Sequence, residues 1–348
     1  ARVKPPTSTL AGAVGQSWAM DAPTPLWIVR FAWLTLPFLA WAGPAAALDG
    51  ASAASTVTFA TVGWLLWAMV LVCSALVRPE SLVLLRLLVP LAPAATAIGL
   101  LLAAGDGILV AGDTATILAV VGFVTGVVAA ALIMLPSVGR YFLNGDSYGA
   151  ERRYGLRCPG ALVVTIGPLW LAGVGLPVGA VAALAAGRWA LGIPALLIGI
   201  LFAAWLWAVT RRLAQRYVVF VPAGLTLVDP LALADPVLFA RNRTLSVAPA
   251  ATNPAGPDPD GAPASERVDL SGGALGLAVE LRTDGPTEVI TLSRPSDRTH
   301  GDNPPGSLSD RLQNVRMGVP RETSAVLFTP SRPAEFLLDA RRVGFGQG

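Results

Sequence analysis

Six runs of about twenty apolar residues, nearly free of charge, fill positions 27 to 210 of this 348-residue chain. That pattern constrains the fold more than any other feature. A helix needs roughly 20 apolar residues to cross the hydrocarbon core of a bilayer, and its backbone polar groups must be satisfied within the segment. The runs cover Trp27 to Leu48, Thr56 to Val77, Ser81 to Ala104, Ala115 to Val138, Ala161 to Ala186 and Trp189 to Thr210. Arg86, early in the third, is the nearest exception, and its apolar stem lets the guanidinium snorkel to the interface. Composition agrees: the chain is 54% hydrophobic and 14% charged, against roughly 25% charged in soluble domains. The expected domains are a cytosolic N-terminal segment, 1–26, a six-helix transmembrane domain, 27–210, and a cytosolic β-rich domain, 211–348. Arg2 and Lys4 precede a polar, proline-containing stretch rather than an apolar core, so the first run is expected to remain as a span rather than act as a signal peptide.

Basic residues orient the spans. With the N-terminus inside, the inner segments hold Arg2, Lys4, Arg30, Arg78, Arg86, Arg140, Arg152, Arg153, Arg157, Arg211, Arg212 and Arg216. The outer segments hold only Arg188, beside Asp49, Asp106 and Asp113. This satisfies the positive-inside rule and predicts that both termini are cytosolic. All ten tryptophans lie before Thr210. Trp27 with Trp41, and Trp189 with Trp205 and Trp207, flank the first and sixth runs as an aromatic belt does.

Prolines 37, 44, 90, 93, 136, 168, 177 and 194 fall within the runs. Each removes a helical hydrogen bond; they are expected to be packing irregularities, or else hinges along a transport path. Gly122 with Gly126, and Gly175 with Gly179, have the spacing that lets membrane helices approach closely.

After Thr210 the pattern changes to short alternating strands. Arg216 to Val221 and Leu225 to Val228 flank a turn at Pro222-Ala223-Gly224, and Pro236 to Ala240 and Thr244 to Val247 follow. Further strands are predicted at Arg267 to Leu270, Leu277 to Arg282, Glu288 to Leu292 and Ala325 to Phe328. Segments 249–264 and 294–320 read as mobile polar loops. A closing helix is predicted from Ser331, a candidate N-cap, to Val343, with Phe336, Leu337 and Ala340 as its apolar stripe. Fifteen basic residues balance fifteen acidic ones from Arg211 onward, and a neutral tail argues against nucleic-acid binding.

This strand order, the hairpin from Tyr217 to Asp229 and the closing helix resemble the pleckstrin-homology-like domains of bacterial membrane proteins. The resemblance covers Arg212 to Gly346 and implies a binding or assembly module. Lys4 is the only lysine beside twenty-four arginines, a bias that resembles proteins of GC-rich actinobacterial genomes.

Catalysis needs convergent polar groups, and the sequence offers few. The only histidine, His300, lies in the second polar loop. Asp106 and Asp113 are the only paired carboxylates near the membrane, readable as a cation site or an acid–base pair, or simply as a polar turn. Cys73 lies within a span and reads as a small apolar residue; Cys158, near Arg152, Arg153 and Arg157, reads either as a thiol whose neighbours favour thiolate or as an incidental interface cysteine. The two are not expected to form a disulfide, and no metal-ligand spacing or cofactor motif is present. The most distinctive segment is Arg140 to Gly160, RYFLNGDSYGAERRYGLRCPG. Arg140, Arg152, Arg153 and Arg157, interleaved with Tyr148 and Tyr154, are candidate ligands for anionic lipid headgroups, or else a plain positive-inside anchor. The expectation is a non-enzymatic anchoring or assembly subunit of the membrane. In a bacterial plasma (inner) membrane its partners would be lipids and a protein held at the cytosolic domain, in service of the cell envelope; the alternative is a small-molecule or lipid transporter.

Overall fold

The computed structural model describes residues 22–39, 53–105, 113–145, 147, 151–250, 267–292 and 318–345. Contacts divide the chain into two units. One is helical, within Asp21–Asp146 and Leu162–Ala214; the other is β-rich and brings Ser147–Ala161 together with Gln215–Gly348.

The helical unit contains α1 (Thr24–Leu39), α2 (Ala53–Ala75), α3 (Pro79–Leu88), α4 (Leu91–Gly105), α5 (Thr114–Ile133), α6 (Pro136–Leu143), α7 (Gly160–Ala185, whose first two residues belong to the β-rich unit) and α8 (Trp189–Ala214). Four stretches are long and apolar enough to cross a membrane: Pro79–Leu101, Thr114–Ile133, Gly160–Leu184 and Trp189–Ala214. Thr24–Leu39 and Phe59–Ala75 are shorter apolar helices, and residues 40–48 of the first expected span lie outside the described residues. Large apolar side chains point outward around the unit, among them Phe38 (80% exposed), Val164 (77%), Leu101 (72%) and Leu201 (70%). Such a surface is costly in water and suited to lipid.

Two prolines explain how the helices are stitched together. Pro37 lacks the N–H that would bond the carbonyl of Trp33, and Pro90 likewise leaves the carbonyl of Arg86 without its helical donor. Each freed carbonyl receives a tryptophan from a neighbouring helix. Trp67 Nε1 of α2 donates to Trp33 O at 2.9 Å, with Trp33 Nε1 returning a bond to Trp67 O at 3.0 Å. Trp170 Nε1 of α7 donates to Arg86 O at 3.0 Å. An apolar indole carrying one donor fits this task in a water-poor interior.

Pro136 has a different effect. The residue before a proline is pushed out of the α region, and Leu135 takes extended backbone with φ −61° and ψ 140°. The expected span Ala115–Val138 is therefore two helices, with α6 leaving the line of α5. The Arg86 guanidinium does not snorkel freely outward: its Nε lies 3.4 Å from Ile133 O, at the C-terminus of α5, where a cation meets unsatisfied carbonyls. Leu26, Val29, Trp33, Val70, Leu85, Ile133 and Phe142 build the main core of this unit, and Val83, Leu87 and Leu206 form a second one on the other side of α3. Gly126 packs against the ring of Pro93, where an added Cβ would come within 3.0 Å. The expected Gly175–Gly179 face has nothing within 4 Å of either position; Gly199 against Pro177 provides the close approach of α7 and α8 instead.

The β unit has two four-stranded sheets. Strands β1 (Arg152–Gly155), β2 (Tyr217–Val221), β3 (Gly224–Val228) and β4 (Val237–Ala240) form the first in that order, all antiparallel. The second, ordered β5-β7-β8-β6, comprises β5 (Thr244–Pro249), β6 (Arg267–Asp269), β7 (Val279–Thr291) and β8 (Val319–Phe328), with β6 parallel to β8. Isolated bridges Leu156↔Pro330 and Leu233↔Thr291 join the sheets at two corners. Between them lies a core of Val218, Leu225, Leu227, Phe239, Leu281, Val289 and Phe328.

Helix α9 (Pro333–Val343) closes one end of this core with Phe336 and Ala340. Its N-cap is Arg332 rather than Ser331, and Gly344 at φ +92° takes the left-handed position that ends it. The expected strands 277–282 and 288–292 are one strand: Asp284-Gly285-Pro286 reads as a turn, yet the register shift between Arg282 and Thr287 absorbs it within the ladder. A β-bulge of this kind accommodates a positive-φ glycine, here Gly285 at +89°. β8 begins at Val319, six residues before the expected Ala325. The expected mobile loops lie mostly in 251–266 and 293–317, outside the described residues.

Candidate functional site

Strand β1 lies in the Arg140 to Gly160 segment that joins the fourth and fifth apolar runs, where the sequence predicts no strand. Its residues pair with β2 in the register Arg152↔Phe220, Arg153↔Val219, Tyr154↔Val218 and Gly155↔Tyr217. After the strand, Ser331 N donates to Gly155 O and Arg157 N donates to Thr329 O, both at 2.8 Å. The C-terminal end of β1 is therefore hydrogen-bonded on both sides.

Alternation sends successive side chains of a strand to opposite faces. Tyr154 turns inward and is 7% exposed, with its ring edge-on to Phe220 at 5.9 Å and to Phe336 at 5.4 Å. Its hydroxyl donates to Asp339, which also receives the Arg152 guanidinium and, at 3.2 Å, Arg342. Burial and the hydrogen bond to Asp339 push the Tyr154 phenol well above its ordinary range, against the pull of Arg152. Tyr154 and Arg152 are thus engaged inside the β unit. Arg153 lies over the ring of Tyr217, 5.2 Å from its centroid, and 3.8 Å from Glu151.

Arg157 remains exposed, and its Nη1 donates to Leu275 O at 2.8 Å. Its own carbonyl accepts Arg216 Nη1 at 2.8 Å. Arg216 in turn holds Asp229 in a two-pronged pair at 2.8 and 2.7 Å, with both side chains almost fully buried. Charged hydrogen bonds of this geometry are the strong ones. Arg140 lies in α6 of the helical unit, with a buried Nε that has no hydrogen-bond partner among the described residues. Tyr148 lies outside the described residues.

The remaining candidates are spread apart. Asp113 is exposed at the N-cap of α5 and makes no side-chain cap bond; Asp106 and His300 lie outside the described residues. Cys73 and Cys158 are free thiols. Burial pushes the Cys158 thiol up, with Arg216 pulling the other way, so the neighbourhood does not favour thiolate as its sequence context suggested. Among the described residues no group of three His, Cys, Asp or Glu could hold a metal ion.

Asp339 and Asp229 are the partners that sequence reasoning missed. Asp339 carried a signal: it falls three residues after Phe336, on the stripe that packs against the core. An acid on a buried face requires a basic or hydroxyl partner, and only the fold shows that the partners lie about 185 positions earlier. No family model matches this sequence, and neither a curated protein nor a solved structure matches the chain.

Proposed function

We propose that this is a non-enzymatic integral membrane protein of six spans with both termini cytosolic. Its β-rich, pleckstrin-homology-like unit serves as an anchoring or assembly module, holding a protein partner at the bacterial inner membrane in a process of the cell envelope. The observation that carries this reading is the pairing of Gly155 with Tyr217. Everything between those partners, including all of α7 and α8, is an excursion from one antiparallel pair. A chain that leaves and re-enters the same sheet crosses a membrane an even number of times, so α7 and α8 form an out-and-back pair. A domain secured by two helices at one pair of strands is suited to holding cargo at a bilayer.

Further support comes from the helical unit. Glu80 at the start of α3 lies 3.7 Å from Arg211 at the end of α8, as expected if the Pro79 and Ala214 ends share one side. The Arg211 guanidinium also sits 5.4 Å from the Trp207 ring centroid, an arrangement suited to an interface. Exposed Arg157 is the candidate best disposed to meet anionic headgroups, because Arg152 and Tyr154 are committed to Asp339.

The test is a tagged purification from native membranes in mild detergent, with co-purifying proteins and lipids identified by mass spectrometry. A stoichiometric protein partner that is lost when the β unit is disrupted, as by Arg216→Met, supports the assembly reading. Recovery of the protein alone with one bound solute contradicts it and points to transport.

A further inference from the structure

The turn between β6 and β7 is short, glycine-rich and apolar at its tip: Ser271-Gly272-Gly273-Ala274-Leu275-Gly276-Leu277-Ala278. Leu275 is 72% exposed and Leu277 47% exposed, so both show their apolar surface outward from an ordered turn. Ser271 N donates to Asp269 Oδ1 at 2.7 Å, and Gly273 N donates to Ser271 Oγ at 3.3 Å. Gly272, Gly273 and Gly276 have φ of 65°, 69° and 130°, conformations open to glycine. Ala250 N closes the far end on Ala278 O at 2.9 Å.

The position of this turn gives the exposed leucines their meaning. Gly160, the first residue of α7, packs so tightly on it that an added Cβ would lie 2.5 Å from Gly273 O. Arg157, three residues earlier, donates to Leu275 O at 2.8 Å and lies within 3.1 Å of the Cβ position of Gly276. Gly160, where α7 begins, and the exposed Arg157 guanidinium therefore both lie against this turn. Apolar side chains beside a cation at such a point match the two layers of a membrane surface, acyl boundary and anionic headgroup.

We infer that the Ser271–Ala278 turn is a membrane-docking loop: Leu275 and Leu277 enter the acyl boundary of the bilayer while Arg157 meets lipid phosphate. This rests on the reading that α7 crosses the membrane. It adds a second attachment of the β unit, made by side chains outside the spans. The leucines would reach about 5–10 Å into the headgroup and acyl boundary.

The test uses the full chain in vesicles of phosphatidylcholine and phosphatidylglycerol, with Cys73→Ala and Cys158→Ala as background. An environment-sensitive fluorophore is attached at Leu275→Cys, Leu277→Cys, Leu238→Cys or Leu201→Cys, one at a time. Leu238 is exposed on β4, the opposite edge strand from β1, and Leu201 is exposed on α8. The inference expects blue-shifted emission at 275 and 277, with quenching by nitroxide-bearing lipid and little by aqueous iodide. Position 238 should show the reverse. Iodide quenching at 275 and 277 with lipid quenching at 201 overturns the docking loop while leaving the spans intact. Iodide quenching at 201 as well overturns both the loop and the membrane reading beneath it.

Discussion

Removing the indole donor of Trp170 tests how this protein tolerates proline within its helices. Trp170→Phe keeps an aromatic ring but deletes the N–H that reaches Arg86 O at 3.0 Å. Pro90 supplies no N–H to that carbonyl, so the variant leaves it without a donor in a water-poor interior. Side-chain hydrogen bonds between membrane helices average about 0.6 kcal/mol and reach about 1.7 kcal/mol. This one should lie in the upper part of that range, near 1–1.5 kcal/mol, because its acceptor has lost its helical partner. Part of the measured cost will come from the smaller ring. A double-mutant cycle removes that part: in the Pro90→Ala background residue 90 regains an N–H for Arg86 O, and Trp170→Phe should then cost only its packing loss. The assay is equilibrium unfolding in mixed detergent micelles for the four proteins of the cycle. The expected coupling is about 1 kcal/mol, roughly fivefold in the unfolding equilibrium. Equal cost of Trp170→Phe in both backgrounds refutes the compensation argument.

Three further outcomes follow from the geometry. Arg216→Met strands the buried Asp229 carboxylate and should cost about 3–5 kcal/mol, read as a lower melting temperature of the solubilised protein; adding Asp229→Leu should recover much of the loss. Tyr154 has a raised pKa in the folded state, so its contribution is intact below the unfolded value of about 10 and disappears as pH climbs toward the higher folded value. Tyr154→Phe should therefore flatten the alkaline limb of a stability–pH profile measured by circular dichroism; an unchanged limb refutes the assignment. Gly199→Leu should destabilise by about 1–3 kcal/mol through overpacking against Pro177, whereas Gly175→Leu should be close to neutral in the same unfolding assay, since nothing lies within 4 Å of its Cβ position.

Much of the fold was legible in local pattern. Apolar runs reveal long helices because lipid demands a length and forbids charge, and the alternation at Tyr217–Val221 and Gly224–Val228 reveals a hairpin because its turn is contiguous. What escaped depends on partners far away in sequence. Arg152–Gly155 is a strand only because β2 lies beside it, more than sixty positions later, and four residues of mixed charge carry too little periodicity to announce it. Asp284-Gly285-Pro286 has the composition of a turn, but the long pairing of β7 with β8 outweighs that local preference. The break at Leu135 was visible as Pro136, yet whether a proline kinks a helix or divides it depends on what packs around it. At the candidate site, charge and aromatic content marked Arg140 to Gly160 as unusual. Which of its arginines face inward required Asp339.

The central claim is that β1 is part of the β unit and that α7 and α8 are inserted between two adjacent strands. The most direct measurement compares two soluble polypeptides by thermal melting and amide NMR dispersion. One is Arg212–Gly348 alone; the other is Ser147–Gly160 joined by a short glycine–serine linker to Gln215–Gly348. The claim predicts cooperative melting and dispersed amide signals only for the second, because the first lacks the strand that covers β2 and the Tyr154 ring in the core. Equal melting temperature and dispersion for Arg212–Gly348 alone would contradict it.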